Sequence, residues 1–182
     1  MKVGRANKRR KPKGIVGIIG LGYVGLPLAC LTSEKGFRVI GFERNNEKAT
    51  LINKQKSPFE DTRLSQWLKR VSVEATTDSS RLKECHIVII CVPTPVDHLY
   101  NPDLGPVRDA VSMVRRYGRK GVLVILESTV NPGVSEEVVM PILTQGGHRE
   151  GRDFFLAHCP ERINPGDSKW SVRNIPRVVG GV

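Results

Sequence analysis

The chain has 182 residues, of which 39% are hydrophobic and 26% are charged, as is ordinary for a folded globular protein. This length can bury one good hydrophobic core with at most a small appendage, which excludes two full domains. The formal net charge of +11 would by itself suggest a nucleic-acid partner. However, seven basic side chains and no acidic one lie in residues 1–14, so most of the excess charge is confined to that segment.

Those seven charges leave the rest of the chain at about +4, which suits an anionic ligand and does not require a polynucleotide. We expect residues 1–13 to form a disordered, solvated tail, with loose contact to a polyanion as the alternative. The tail and the apolar stretch 15–32 together imitate a signal peptide or membrane anchor. Four glycines and Pro27 make that stretch poor material for a membrane helix, so we expect a cytoplasmic protein with reduced cysteines and no membrane partner.

The cysteines give little sign of a metal site. No C-x-x-C pair occurs among the four of them, Cys30, Cys85, Cys91 and Cys159. The adjacent pairs Cys85-His86 and His158-Cys159 are too close for ordinary tetrahedral zinc ligands. We therefore predict that the protein holds no metal.

Apolar runs alternate with helix-compatible segments along the whole chain. We expect strands at about 15–20, 38–43, 73–76, 87–92, 122–127, 154–158 and 177–180. We expect helices at about 25–35, 46–55, 62–70, 106–119 and 133–145. The runs at 86–92 and 122–126 are continuously apolar, as is typical of strands buried on both faces. Strand-then-helix repetition predicts an α/β, Rossmann-like, doubly wound and mainly parallel sheet over residues 14–182, with helices on both faces.

The first predicted strand runs directly into a G-x-G-x-x-G turn formed by Gly20, Gly22 and Gly25. Gly20 permits the tight turn, Gly22 lets backbone amides approach a pyrophosphate, and Gly25 lets the helix pack on the strand. The N-terminus of the following helix offers free N–H groups and about half a positive charge to phosphates. This placement between strand and helix predicts dinucleotide binding.

A carboxylate, Glu43, ends the second predicted strand, about twenty residues after the middle glycine, where it can accept hydrogen bonds from the adenosine ribose. Arg44 beside it could accept the 2′-phosphate of NADP. Because Glu43 would repel that phosphate, we predict NAD.

Ligands of such sheets bind beyond the carboxyl ends of the strands. Thr94 lies there between two prolines that exclude further strand, and Thr129 follows the next buried run. A simple turn is the alternative to a hydroxyl held at the cofactor. Glu161 lies on a loop that two prolines constrain. We expect it to have a catalytic role, and the alternative is a structural one, in which it forms a salt bridge to Arg162 or caps a helix.

Together these segments resemble the nucleotide-sugar 6-dehydrogenases, the UDP-glucose/UDP-N-acetylhexosamine dehydrogenase family. The matching pieces, in the family's order from about residue 14 to 182, are Gly20-Leu-Gly-Tyr-Val-Gly-Leu-Pro-Leu-Ala29, Val92-Pro-Thr-Pro95, Glu127-Ser-Thr-Val-Asn-Pro-Gly133, His158-Cys-Pro-Glu-Arg-Ile-Asn-Pro-Gly-Asp167 and Arg177-Val-Val-Gly-Gly181. The fourth piece resembles the branch that acts on N-acetylated UDP-hexosamines. The UDP-glucose branch usually has a second glutamate where this chain has Pro165.

The resemblance implies a two-step, four-electron oxidation of a sugar C6 hydroxyl to a carboxylate by two NAD, through intermediates held on a cysteine. It implies a UDP-sugar partner and a role in polysaccharide biosynthesis. Glu161 then matches the general acid/base glutamate, and three residues match substrate contacts: Arg162, Ile163 and Asn164. The resemblance also implies that Tyr23, Val24, Lys48, Thr94 and Thr129 contact the cofactor, in addition to the three glycines and Glu43. Lys48 could equally be a lysine on the surface of a helix.

In the family the nucleophilic cysteine, its partner lysine, the central helix and the UDP-binding domain lie beyond the position of residue 182. We therefore expect the chain alone to bind NAD weakly and not to turn over, and the whole enzyme to be a homodimer. Two alternatives remain. One is a 6-phosphogluconate-type hydroxyacid dehydrogenase, which would need a lysine that the segment 132–144 does not have. The other is a non-enzymatic dinucleotide- or nucleic-acid-associated Rossmann module.

Overall fold

A computed structural model describes residues 12–162 and 169–182. The strands are β1 (Ile15–Ile19), β2 (Arg38–Phe42), β3 (Val73–Thr76), β4 (Ile87–Ile90), β5 (Val122–Leu126), β6 (Phe154–His158) and β7 (Gly180–Gly181). The α-helices are α1 (Gly25–Glu34), α2 (Asn46–Asn53), α3 (Thr62–Leu68), α4 (Gly105–Tyr117) and α5 (Met140–Thr144). A 3-10 helix, Ser79–Glu84, and a π-helix, Ser135–Val139, complete the described elements.

The strands form one seven-stranded sheet in the order β3-β2-β1-β4-β5-β6-β7. The first six pair in parallel, and β7 pairs antiparallel with β6. The chain moves outward in one direction from β1 and in the other from β4, so the sheet reverses its winding between these two neighbours. This confirms the predicted doubly wound α/β fold and places a ligand crevice where the loops after β1 and β4 separate.

The sheet separates two apolar cores. On one face Ile18 of β1 and Leu26 of α1 are completely buried, in a cluster that also contains residues of α2 and α3. On the other face Val88 of β4 and Val111 of α4 are completely buried, in a cluster that includes residues of α5. Each large aliphatic side chain removed from water contributes about 1.5–3 kcal/mol. The two cores therefore fix the strand ends, and with them the loops that carry the predicted site.

The helix expected at 133–145 is divided into the π-helix Ser135–Val139 and the short α5. Pro141 lies at the start of α5 and has no N–H to donate to the carbonyl four residues earlier, so a regular α-helix cannot continue through it. The wider π turn before it accommodates this break.

The strand expected at 177–180 is displaced toward the end of that range, so its predicted start was wrong. The strand is β7, Gly180–Gly181, and it runs antiparallel to β6. Arg177 lies before it, and its side chain turns in toward the carboxyl ends of β5 and β6. The segment is thus held by a side-chain interaction first and by strand pairing only at its end.

Most of the predicted tail lies outside the described residues, except Pro12 and Lys13. The Lys13 N–H donates to the Gly36 carbonyl oxygen at 3.1 Å. Within residues 12–162 and 169–182, no helix is both long enough and apolar enough to cross a membrane.

Candidate functional site

A cleft of about 560 Å³ lies at the carboxyl ends of β1, β4 and β5, at the point where the sheet reverses its winding. It brings together most of the residues predicted from sequence: Gly20, Gly22, Tyr23, Val24, Glu43, Lys48, Thr94, Thr129 and Glu161. Gly25 lies behind the cleft wall, and Arg162 touches Glu161 through its backbone. Ile163 and Asn164, the other two predicted substrate contacts, lie outside the described residues.

The three glycines of the turn meet three different environments. Gly20 has a φ of +91°, and a Cβ there would lie 2.6 Å from the Cys91 carbonyl oxygen. A Cβ on Gly25 would overlap the carbonyl oxygen of Gly20. A Cβ on Gly22 would meet no described atom within 4 Å, because it would point into open space. Gly20 and Gly25 are therefore required by the fold of the turn, and Gly22 leaves room for something outside the protein.

The positive end of α1 is available to an anion. Val24 is the N-cap residue, and no described side chain hydrogen-bonds to the N-terminal N–H groups as a cap. The first turn also contains no acidic residue. Both Val24 and the preceding Tyr23 line the cleft. The uncapped amides and the helix dipole together favour a phosphate group at this end of the cleft.

Acidic, aromatic and basic side chains lie on the β2 side of the cleft, where Glu43, Tyr23 and Lys48 line it. Glu43 Oε1 accepts a hydrogen bond from the Asn45 N–H at 3.0 Å, which orients the carboxylate at the end of the strand. The Tyr23 and Phe59 rings stack with centroids 4.2 Å apart. Lys48 lines the cleft, and its ammonium lies 5.6 Å from the Phe59 centroid. Phe59 was not predicted, since no sequence signal in its loop links it to the glycine turn.

The two predicted threonines are directly connected. The Thr94 hydroxyl donates to the Thr129 carbonyl oxygen at 2.7 Å. Beside them the buried Ser128 hydroxyl donates to the Val92 carbonyl oxygen at 2.8 Å. These bonds join the loops that follow β4 and β5. Because the Thr94 proton is used within the protein, the lone pairs of its oxygen can accept a hydrogen bond from a ligand.

Glu161 forms an ion pair with an arginine, but the partner is not Arg162. Arg177 Nη2 donates to Glu161 Oε2 at 3.0 Å, and Arg177 Nη1 donates to Glu127 Oε1. Arg162 contributes only its backbone N–H, which donates to Glu161 Oε1 at 2.7 Å. The Glu161 side chain is 7% exposed and that of Glu127 is 3% exposed. One guanidinium thus binds two nearly buried carboxyl groups at the cleft.

Burial governs the ionisation of this cluster. Burial, and secondarily a hydrogen bond that the protonated Glu127 side chain can donate to Glu161, raise the pKa of Glu127 to about 7, against the opposing effect of Arg177. Burial also raises the pKa of the Cys91 and Cys159 thiols above its ordinary value. The thiolate is the reactive form of cysteine, so these two cysteines are poor nucleophiles at neutral pH.

Sequence reasoning missed Glu127 and Arg177. Glu127 had a usable signal, because it is an acid placed directly after a continuously apolar strand, at the edge where ligands bind. Arg177 begins the last segment that matches the family, but nothing in the sequence links it to Glu127, because it is 50 residues away and reaches Glu127 only in the folded chain. Among the described residues no group of three or more histidine, cysteine, aspartate or glutamate side chains could hold a metal ion.

Comparison with known proteins identifies relatives along almost the whole described chain. A sequence model of the UDP-glucose/GDP-mannose dehydrogenase family, NAD binding domain, matches residues 15–182. Protein CapL of Staphylococcus aureus is 38% identical over 91% of this chain and 39% of its own length. The UDP-N-acetyl-D-glucosamine 6-dehydrogenase of Salmonella typhi is 37% identical, over 91% of this chain and 39% of its own length.

A solved structure has the same fold. The NDP-N-acetyl-D-galactosaminuronic acid dehydrogenase from Methanosarcina mazei Go1 superposes with a TM-score of 0.86 and 35% sequence identity, covering 96% of this chain and 40% of that one. The chain therefore spans about two-fifths of the length of these relatives.

Proposed function

The chain belongs to the UDP-glucose/GDP-mannose dehydrogenase family, of which it matches the NAD-binding domain, and we propose that its enzyme oxidises the C6 hydroxyl of a UDP-N-acetylhexosamine to a carboxylate. The observation that carries this proposal is that the glycine turn and Glu161 line the same cleft. A cofactor bound by the turn would thus have an acid/base group within the same cavity.

The cleft has a complementary group for each part of NAD. The pyrophosphate would pass over Gly22, where a side chain would otherwise stand, and meet the uncapped N-terminus of α1. The adenosine ribose would hydrogen-bond to Glu43, whose carboxylate is already oriented by Asn45. The nicotinamide end would then lie toward Thr94 and Thr129, which are joined across the loops after β4 and β5.

Oxidation of an alcohol by NAD moves a hydride to the cofactor and a proton to a base. Glu161 is proposed as that general acid/base group, because it lines the cofactor cleft and Arg177 holds its carboxyl in a fixed direction. General acid/base help contributes about 10²–10⁴-fold to rate. Arg162, Ile163 and Asn164 are proposed to contact the sugar from the loop that Glu161 begins.

The choice of sugar follows the relatives. The Salmonella typhi relative is named for UDP-N-acetyl-D-glucosamine, and the Pyrococcus horikoshii relative, 35% identical, for UDP-N-acetyl-D-mannosamine. We propose a substrate of this class, a homodimeric whole enzyme that works in the cytoplasm, and a role in polysaccharide biosynthesis. NAD is the proposed oxidant in both steps.

A chimera tests the activity. Residues 12–182 would replace the matching part of the Salmonella typhi dehydrogenase, and NADH formation would be followed with UDP-N-acetylglucosamine, UDP-N-acetylmannosamine and UDP-glucose. We expect NADH with at least one N-acetylated sugar and a loss of about 10²–10⁴-fold in kcat for Glu161→Gln. A folded chimera that binds NAD but oxidises none of the sugars, or a fully active Glu161→Gln chimera, would contradict the proposal.

A further inference from the structure

A second cavity, of about 430 Å³, lies away from the cleft and shares none of its described lining residues. It is bordered by α3, by the C-terminal end of α1 and by the segment around Arg173. Cavities that bind small ligands measure about 300–1,000 Å³. Three arginines, Arg63, Arg70 and Arg173, line this one, and the proposed oxidation uses none of them. The cavity is therefore a candidate for a separate anion site.

One wall of this cavity is fixed by contacts between three separate parts of the chain. Arg173 donates to both carboxylate oxygens of Glu34, from Nη1 at 3.1 Å and from Nη2 at 2.6 Å. The Trp67 indole N–H donates to Glu34 Oε2 at 2.9 Å. The Arg173 guanidinium also lies 4.2 Å from the centroid of the Trp67 ring. These three residues, named here the Glu34 clamp, join α1 and α3 to the segment of Arg173, so a ligand would meet a preorganised wall.

The other two arginines leave positive charge without a protein partner. Arg63 lies in the first turn of α3, and Arg70 follows its last turn. Among the described residues, neither guanidinium forms an ion pair or a hydrogen bond. The charge of Arg173 is matched within the Glu34 clamp, where the hydrogen bonds from Arg173 lower the pKa of Glu34 and keep it ionised. Two positive charges therefore remain available to a ligand in the cavity.

The spacing of these two charges indicates what kind of anion they fit. Seven residues of helix span about 10 Å and bring the side chains back to one face, so Arg63 and Arg70 reach the cavity from two ends. A ligand that meets both must carry two separate anionic groups. Guanidinium groups bind phosphate oxygens through two parallel N–H donors. A diphosphate, which is charged at both of its ends, has the required charge and fits a cavity of this size.

We propose that this cavity binds a small ligand with a diphosphate group, whose two phosphates are held by Arg63 and Arg70 against the wall formed by the Glu34 clamp. The site is distinct from the position of the cofactor pyrophosphate in the cleft, because the two cavities have no described residue in common. It therefore adds a second anion site to the proposed dehydrogenase, and it exists whether or not that proposal holds.

The indole N–H signal of Trp67 in an NMR spectrum of the full chain reports on this cavity directly. The chain has two tryptophans, so Trp67→Phe assigns the signal. Titration with inorganic pyrophosphate should shift it to saturation, and inorganic phosphate should bind more weakly. Arg63→Gln and Arg70→Gln should each weaken pyrophosphate binding by about 10-fold or more, as expected for the loss of a charge-assisted hydrogen bond. Both residues are exposed, so the variants should keep the wild-type Tm.

Two controls locate the response. Arg119→Gln removes the same charge from an exposed arginine that lines neither cavity and should leave the affinity unchanged. Gly22→Ala alters only the cleft, so the Trp67 response should persist in it. A Trp67 signal that does not respond to pyrophosphate, or a response unchanged in Arg63→Gln and Arg70→Gln or lost in Gly22→Ala, would overturn the proposal. A response to duplex DNA without one to pyrophosphate would also overturn it.

Discussion

Alanine in place of Gly25 should damage the fold, whereas alanine in place of Gly22 should damage only cofactor binding. A Cβ on Gly25 would overlap the Gly20 carbonyl oxygen and lie 3.1 Å from the carbonyl carbon. Both are rigid backbone atoms, so the helix or the turn must move. Such overpacking costs about 1–3 kcal/mol, which for a chain of this size lowers Tm by about 2–12 °C.

Gly22→Ala has no comparable obstacle. The new Cβ would meet no described atom within 4 Å, and Gly22 is not among the residues with positive φ. Its stability should therefore be unchanged, or higher by up to about 1 kcal/mol. The methyl group would instead displace the pyrophosphate from the turn. Loss of one charge-assisted hydrogen bond costs about 1.5–3 kcal/mol, so we expect about 10- to 150-fold weaker NAD binding.

The assay compares the two variants by thermal unfolding and by calorimetric NAD titration. Gly180→Ala is the matched control, because its Cβ would also meet no described atom within 4 Å, on β7 and outside the cleft. It should retain both stability and NAD binding. A Gly25→Ala protein with wild-type Tm, or a Gly22→Ala protein with wild-type NAD affinity, would refute this reading of the turn.

Three further predictions concern the cleft wall. Burial raises the pKa of native Glu127 to about 7 from an ordinary 4.5. The contribution of Glu127 to the free energy of unfolding should therefore fall by about 1–3 kcal/mol as pH rises between these values. In urea unfolding, the free energy of Glu127→Gln should change less with pH than that of the wild type. Thr94→Val loses the bond to Thr129 and should cost about 0.5–1.5 kcal/mol, with Thr94→Ser unaffected in the same melts. Tyr23→Ala removes the ring stacked on Phe59 and should weaken NAD binding in calorimetry more than Tyr23→Phe does.

Local patterns were sufficient to predict the sheet and the glycine turn. The run that became β5 was continuously apolar, and its residues Val122, Val124 and Leu126 are indeed buried. The order of the strands was not predicted, because apolar runs mark strands without telling which of them are neighbours. The clustering of Thr94, Thr129 and Glu161 could still be expected, since the carboxyl ends of parallel strands share one edge.

Features that depend on distant contacts could not be predicted. A salt bridge from Glu161 to its neighbour Arg162 was considered as the alternative to a catalytic role, but the ion pair is made by Arg177, 16 residues further along the chain. The segment of Arg177 was expected to be strand from residue 177, and its pairing begins only at Gly180.

The central claim is that this cleft binds NAD and that Glu43 selects NAD over NADP. The most direct test compares the binding of NAD and NADP by the wild-type chain and by Glu43→Gln. Calorimetry should detect NAD binding to the wild type, weaker binding of NADP, and a smaller difference between the two in Glu43→Gln, because the carboxylate that repels the 2′-phosphate is gone. Equal affinities of the wild type for both cofactors, or a preference unchanged by Glu43→Gln, would contradict the account.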